Sequence, residues 1–174
     1  MHSLYSIPVS GQKEGSHIYD FKIDTDFFSS FEKSVIHEAD LNASINLLKR
    51  SAHMELVIKI SGTVKLTCDR CLDLYSQAVD TENRVLIKFG DKLDEMDDEI
   101  LVIPHNINEL DLSQLLYEFT HLGLPLRKMH PDDENGNSTC NPRMLEKLEQ
   151  HLIRSDAIRD PRWNELEKLK NSNN

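Results

Sequence analysis

The sequence predicts an α+β fold, in which the first two-thirds of the chain form a mostly antiparallel sheet and C-terminal helices pack on it. Through those two-thirds, apolar residues alternate with polar ones, which is the period of strands with one buried face. From Glu109 onwards, apolar residues recur every three or four positions, as in amphipathic helices. We expect residues 1–155 to form a single α+β domain and residues 156–174 to add a short amphipathic helix and a frayed tail.

The clearest strand lies in HMELVIKISGTVKLTC, where nearly every second residue from Met54 to Cys68 is apolar. Gly62 interrupts this alternation and predicts a bend or a bulge. The preceding KRSAH can reverse the chain, so this strand is expected to pair antiparallel with the one before it. The same period predicts further strands in HIYDFKID, LNASINLL, AVDTENRVLIKF and EILVIP.

Helices are predicted where apolar spacing coincides with start and stop signals. A short one in TDFFSSFEKSVI opens at Asp24 or Thr25. A longer one in ELDLSQLLYEFTHLGLP has Asp111 as its expected N-cap and ends at Gly123. Another in NPRMLEKLEQHLI carries Pro142 in its first turn, and DPRWNELEKLK has the spacing of a short amphipathic helix.

The composition is that of a globular protein in a reducing compartment. The chain has 174 residues, of which 39% are hydrophobic, and three cysteines, an odd number that fits poorly with a disulfide framework. No apolar run approaches the roughly 20 residues of a membrane span. The N-terminus lacks the basic-then-apolar layout of a secretory signal. We therefore expect a cytoplasmic protein with no membrane association.

The charge of the chain is strongly acidic, with a formal net charge of -10. Proteins that neutralise nucleic-acid phosphates need clustered Lys and Arg, so binding of RNA would require a local basic patch. The segment GDKLDEMDDE concentrates six acids against one lysine. It lacks the alternating oxygen ligands and glycine turn of a calcium loop, so we expect a solvated loop there.

The stretch KLTCDRCLDLY contains Cys68 and Cys71 in a C-x-x-C spacing. A two-residue spacer lets both thiolates reach one zinc ion at about 2.3 Å, which supplies half of a tetrahedral site. His130 and Cys140 flank the polar loop PDDENGNST, and a metal at its base would order it. Three cysteines and one histidine make a shell that structural zinc uses. The sequence therefore predicts a structural Zn²⁺ site at these four residues.

Two other interpretations of the cysteine pair stay open. Cysteine packs as a small hydrophobe, so Cys68 on an apolar strand face can be an inert thiol, although Cys71 beside Arg70 fits this less well. A redox C-x-x-C normally begins a helix, whose dipole lowers the thiol pKa. The residues after Cys71 look extended instead. A thiol oxidoreductase is the alternative function that the pair allows.

The sequence contains no recognisable catalytic motif. There is no Gly-rich phosphate loop, no nucleophile elbow and no H-E-x-x-H helix. A nuclease would need carboxylates clustered around a cation, and only GDKLDEMDDE offers them. We therefore expect a protein that is not an enzyme and has no small-molecule substrate.

Basic residues accompany the predicted ligands. Arg70 lies between the first two cysteines, Lys128 precedes His130, and Arg143 follows Cys140. If a metal draws these segments together, the cations form a local basic face that can contact phosphates or a partner. The alternative is that they pair with nearby acids. No aromatic platform for stacking bases stands beside them.

Three stretches resemble the YceD family: CDRCLDLYSQAV after an alternating strand, ELDLSQLLYEFTHLGLPLRKMHP, and a final DPRWNELEKL. This bacterial family is described as large ribosomal RNA subunit accumulation protein, with relatives in plant organelles. The resemblance covers most of the chain from about Lys65 onwards, whereas the N-terminal strands match only in kind. The C-terminal segment is similar to that of members from Bacteroidetes.

The resemblance implies a non-enzymatic, metal-binding protein that is needed for normal 23S ribosomal RNA levels. Its partner would be a large-subunit ribosomal RNA precursor or a ribosomal protein. The family's cysteine pair corresponds to Cys68 and Cys71, and its downstream ligand segment to the one holding His130 and Cys140. Many relatives have several cysteines in that segment, whereas this chain has only Cys140, so the zinc site depends on His130.

The DPRW motif allows a second partner contact. Arg162 and Trp163 open an amphipathic turn with one large aromatic anchor, as in many docking helices. The alternative is that Trp163, Leu166 and Leu169 fold back onto the sheet of the same chain.

Overall fold

The computed structural model describes residues 4–32, 34–90, 94–97 and 100–152. Strands dominate these residues, and helices follow the main sheet, so the predicted α+β class is confirmed. The elements in chain order are β1 (Ser6–Pro8), β2 (Gly15–Asp24), α1 (Thr25–Ser29), β3 (Glu38–Lys49), β4 (His53–Thr67), β5 (Leu74–Gly90), β6 (Asp94–Asp97), β7 (Ile100–Pro104), β8 (Glu109–Asp111), α2 (Ser113–Leu122) and α3 (Pro142–His151).

The main sheet has six strands in the order β2-β3-β4-β5-β7-β6. Its first four strands form successive antiparallel pairs, and the Arg50 N–H donates to the His53 carbonyl at 2.9 Å in the predicted turn between β3 and β4. The pair β5–β7 is parallel, from Leu86 opposite Ile100 onwards, so the sheet is mixed. A second, two-stranded antiparallel sheet joins β1 to β8.

The buried face of β3 and β4 forms the centre of the core. In β4, the side chains of Met54, Leu56, Ile58 and Ile60 have no exposed surface. The predicted alternation is therefore confirmed, and burial of each of these side chains stabilises the fold by about 1.5–3 kcal/mol. In β3, the adjacent buried residues are Leu41, Ala43, Ile45 and Leu47.

Gly62 does not mark a bulge. Its pairing continues without a shift to Leu41 on one side and Val79 on the other. Its φ is +142°, and a Cβ there would overlap the backbone carbonyl oxygen of Asp40. The predicted bulge is wrong because the glycine serves close approach of β3 to β4 rather than an extra residue.

The helices begin at the predicted places, with one displaced cap. The Asp24 carboxylate accepts from the Phe27 N–H and caps α1, and the Asn141 side chain caps α3. At α2 the N-cap position belongs to Leu112, while the predicted cap, Asp111, accepts from the Ser113 N–H at 2.9 Å. Helix α2 buries residues against the sheet, whereas α3 has no fully buried residue.

Part of the acidic segment is a strand rather than the expected loop. Asp94–Asp97 forms β6 and pairs antiparallel with β7 at one edge of the main sheet. The predicted C-terminal helix, with Arg162 and Trp163, lies outside the described residues. No helix in the described part of the chain is long and apolar enough to cross a membrane.

Candidate metal centre

The first half of the centre is a tight turn between β4 and β5. Cys68 follows the buried face of β4, and its N–H donates to the Asp73 carbonyl at 2.9 Å. The Leu72 N–H donates back to the Cys68 carbonyl at 3.0 Å. The Arg70 N–H points at the Cys68 Sγ at 3.4 Å. These bonds close the turn around the thiol, with Cys71 also buried.

Leu72 has an unusual backbone conformation in this turn. Its φ of +66° places it in the left-handed region, and it is the only non-glycine residue with positive φ among those described. This region costs an L-residue about 1–2 kcal/mol, because the Cβ lies too close to the carbonyl oxygen. Sequence reasoning missed this conformation, since glycine is the residue that normally signals it.

The second half of the centre is joined to this turn by paired hydrogen bonds. The Asp69 N–H donates to the Lys128 carbonyl at 2.6 Å, and the Lys128 N–H donates to the Asp69 carboxylate at 2.8 Å. The Asn141 side-chain amide donates to the Asp73 carboxylate at 3.0 Å. Asp69, Asp73 and Asn141 therefore position the two halves, and no sequence motif identified these contacts in advance.

The loop between His130 and Cys140 has internal hydrogen bonds of its own. The Asp133 carboxylate accepts from the backbone N–H groups of Asn135 at 2.9 Å and Asn137 at 2.7 Å. The backbone and side chain of Asn137 hold the pKa of Asp133 below its ordinary value. The loop is thus ordered partly by polar contacts, in addition to whatever a metal contributes at its base.

The four predicted ligands meet at one point. Their ligand atoms, the Sγ of Cys68, Cys71 and Cys140 and a ring nitrogen of His130, lie within 4.8 Å of one another. The Cys71 Sγ is 3.4 Å from the His130 Nδ1, and the Cys140 Sγ is 3.7 Å from both the Cys68 Sγ and the same nitrogen. A zinc tetrahedron with bonds of about 2.0–2.3 Å has edges of about 3.6–3.8 Å. The donor set fits zinc in type and in spacing.

Burial separates these groups from solvent. Cys68, Cys71 and Cys140 are 0%, 1% and 3% exposed, and His130 is half-buried with its ring 5.2 Å from that of Tyr75. All three cysteines are free thiols. No other group of three or more His, Cys, Asp or Glu side chains is close enough to hold a metal within the described ranges.

The thiols have different proton affinities. Burial acts to raise the pKa of Cys68, but hydrogen bonds from the backbone N–H groups of Cys71 and Arg70, together with His130, lower that pKa to about 6. At Cys140 the Ser138 hydroxyl acts to lower the pKa. Burial and the neighbouring cysteines outweigh it, so the pKa of Cys140 is raised. The centre therefore stabilises a thiolate at Cys68 even as a metal-free site.

The basic residues predicted near the centre lie on its two halves. The Arg70 guanidinium donates to the Ser138 hydroxyl at 3.2 Å, and Arg143 lies exposed in the first turn of α3. In the part of the chain that the structure describes, neither these two nor Lys128 forms an ion pair with a carboxylate. Arg162 and Trp163 fall outside that part.

The surroundings of Cys68 and Cys71 differ from those of a redox pair. A redox C-x-x-C normally opens a helix, whose N-terminus stabilises an accessible thiolate. Here the turn leads into the strand β5, and both sulfurs are buried with groups of the second segment against them.

Comparison with known proteins identifies the family of the chain. A family profile described as "Large ribosomal RNA subunit accumulation protein YceD" matches residues 56–170, a stretch that includes all four predicted ligands. No curated protein and no solved structure gives a significant match. Because the profile spans more than half of the sequence, the chain belongs to the YceD family.

Proposed function

We propose that this chain supports accumulation of large-subunit ribosomal RNA as a cytoplasmic, non-enzymatic binding factor, with a zinc ion holding its contact surface in shape. The general role, in large ribosomal RNA accumulation, is the one for which the family is named. The partner would be a component of the large-subunit precursor, either its ribosomal RNA or one of its proteins. The zinc site, the binding mode and the compartment are the new parts of the proposal.

The meeting of the four ligand atoms within 4.8 Å carries the proposal. Cys68, Cys71, Cys140 and His130 would supply all four bonds that a tetrahedral zinc ion accepts. Catalytic zinc keeps one position for water or substrate, whereas a site closed by four protein ligands is structural. The donor set therefore supports a metal that fixes two chain segments and performs no reaction.

The location of the site explains what such an ion would do. The segment from Lys128 to Cys140 is attached to the β4–β5 turn by a few hydrogen bonds at its two ends. Each such bond contributes only about 0.5–1.5 kcal/mol. A structural zinc ion contributes much more, about 10–16 kcal/mol in small zinc domains. Metal binding would thus hold the two segments, and the surface around them, in a single conformation.

A thiol oxidoreductase is the weaker alternative. It requires one accessible thiolate that reacts selectively, and the three cysteine residues are at most 3% exposed. Selective alkylation of one cysteine in the metal-loaded protein at neutral pH would support the alternative. Protection of all three cysteines until a chelator is added would support the binding factor.

The test measures metal and ribosome association together. Wild type, Cys68→Ser and Cys140→Ser are purified without added zinc and analysed for metal. The same variants are expressed in cells lacking the wild-type protein, and large-subunit RNA and sedimentation of the chain with large-subunit precursors are measured. We expect zinc, co-sedimentation and normal RNA levels for wild type alone. Normal RNA levels in both variants would refute the role of the centre, and absence of metal from wild type would refute the zinc ion.

A further inference from the structure

Three leucines near the metal centre expose much of their side chains. Leu126 is 100% exposed, Leu72 65% and Leu74 51%. Single exposed leucines are common on protein surfaces, but several in one area indicate a contact site. We call these three residues the leucine surface.

The hydrogen bonds of the centre join the two segments that carry the leucine surface. Leu72 and Leu74 lie on either side of Asp73, which closes the β4–β5 turn. Leu126 comes two residues before Lys128, whose backbone is bonded to the same turn through Asp69. The same two segments supply the four predicted zinc ligands, so a metal would fix the leucines relative to one another.

The residue type at position 72 is a second observation. A leucine at φ +66° is strained, whereas glycine would adopt that conformation freely. Burial of the side chain inside this chain does not offset the strain, because most of the side chain is exposed. The turn needs this conformation, because the Leu72 N–H closes it onto the Cys68 carbonyl, but it does not need a leucine side chain there. A leucine at a position that suits glycine therefore indicates that its exposed side chain makes a contact outside this chain's own core.

The charges beside the leucines favour an acidic partner. Arg70, Arg127 and Lys128 are close to the leucine surface in sequence, and none of them forms an ion pair with a described carboxylate. The turn also carries two carboxylates, Asp69 and Asp73, which bond to uncharged donors and so keep their charge. Three cations against these two carboxylates leave one net positive charge, which favours the carboxylates of a partner.

We propose that the leucine surface docks an amphipathic segment of another protein, one that places apolar side chains against the leucines and carboxylates against Arg70, Arg127 and Lys128. Apolar anchors framed by complementary charge are typical of protein interfaces. RNA is the poorer fit, because single-stranded RNA is held by exposed aromatic rings. The neighbouring ring, that of Tyr75, is buried beside His130.

This inference rests on the proposed function, because the zinc centre would hold the two segments in register. It narrows the partner from a ribosomal RNA or protein to a protein with acidic and apolar side chains. The net charge of -10 agrees with this choice, since it disfavours extended contact with phosphates.

Site-specific photo-crosslinking in cells tests the inference. A benzophenone-bearing phenylalanine analogue replaces Leu126, or Leu72 in a second strain, in the full-length chain. The matched control places it at Ile18 in β2, at the far edge of the main sheet, where exposure is 69%. After irradiation, the adducts are purified and their cross-linked peptides or nucleotides are identified by mass spectrometry.

The expected product is a discrete peptide of one other protein, with apolar residues flanked by Asp or Glu. Its yield at positions 72 and 126 should clearly exceed that at position 18, because only the first two positions would lie in the interface. Reversing the rim charges with Arg127→Glu and Lys128→Glu should reduce that yield. RNA adducts, adducts with residues 153–174 of the same chain, or yields no higher than at position 18 would each overturn the inference.

Metal analysis of the same preparations separates the two proposals. Zinc-loaded protein that gives no specific protein adduct would overturn the docking surface and leave the metal centre intact. Metal-free protein that still gives the adduct would overturn the zinc ion and leave the docking surface intact.

Discussion

The Sγ atoms of Cys68 and Cys140 lie 3.7 Å apart although 72 residues separate them in the chain. This distance equals an edge of a zinc tetrahedron, and both thiols are buried. One thiol belongs to the turn after β4 and the other to the residues just before α3. The contact therefore joins the sheet to the C-terminal third of the chain.

Zinc should bind in a ratio of about one ion per chain, and His130 should be replaceable only by another ligand. His130→Ala should lower zinc affinity by more than about 100-fold. Even mutation of a residue that only hydrogen-bonds to a metal ligand typically lowers metal affinity by about 10–100-fold. His130→Cys should restore binding through a shell of four thiolates. Competition with a chromophoric chelator measures these affinities. Equal affinities for wild type and His130→Ala would show that His130 is not a ligand.

Chelation should loosen the molecule locally. Removing the metal should increase amide hydrogen exchange in residues 69–73 and 128–141, since only a few hydrogen bonds remain between these segments. Exchange in the middle of the β3–β4 ladder should change little, because its own hydrogen bonds and buried side chains, from Ala43–Ile60 to Leu47–Leu56, lie several residues from the centre. Uniform loss of protection over the whole sheet would contradict a local role for the metal.

The metal-free protein should contain a thiolate that titrates near pH 6. The pKa of Cys68 is about 6 in the fold, against an ordinary value of 9.0. Because the folded pKa is the lower one, the ionised thiol stabilises the fold fully above pH 9, and this contribution is lost as the pH falls to about 6. Ultraviolet absorbance of the thiolate measures the step. A step near pH 6 that persists in Cys68→Ser would assign it to another group.

Gly62→Ala should destabilise the fold strongly, by at least about 2 kcal/mol. The added Cβ would meet the backbone of Asp40, which cannot move without disturbing the β3–β4 ladder. Gly15→Ala is the matched control, since Gly15 has a similar φ of +130° but open space around its Cβ position. Denaturant unfolding of both variants separates the effect of atomic overlap from that of backbone strain. Equal losses in the free energy of unfolding would show that overlap with the Asp40 backbone contributes nothing.

Leu72→Gly should keep zinc binding and change the free energy of unfolding by less than about 1 kcal/mol, because relief of the left-handed strain offsets the added freedom of the unfolded chain. Leu72→Val should destabilise the protein, since a β-branched side chain fits this conformation less well. Thermal unfolding with zinc bound compares the two. A valine variant as stable as the glycine variant would contradict the left-handed conformation.

The sequence alone determined five of the six strands of the main sheet, all but β6, and the four side chains that meet in the centre. Alternation of apolar residues in β4 is a local pattern, and it directly reports which side chains face the core. The Asp24 cap of α1 is an equally local signal, and the C-x-x-C pair can reach one metal whatever the rest of the fold does.

Tertiary structure decided how distant residues approach one another. Gly62 was predicted to form a bend or a bulge, because its sequence context does not reveal that the Asp40 carbonyl lies against it. The neighbouring sequence likewise carries no signal for the parallel pairing of β7 with β5 or for the left-handed conformation of Leu72. Such features depend on packing between segments far apart in sequence. Residue type and position beside a polar loop can therefore name Cys140 as a candidate ligand, but only the folded chain puts its sulfur 3.7 Å from that of Cys68.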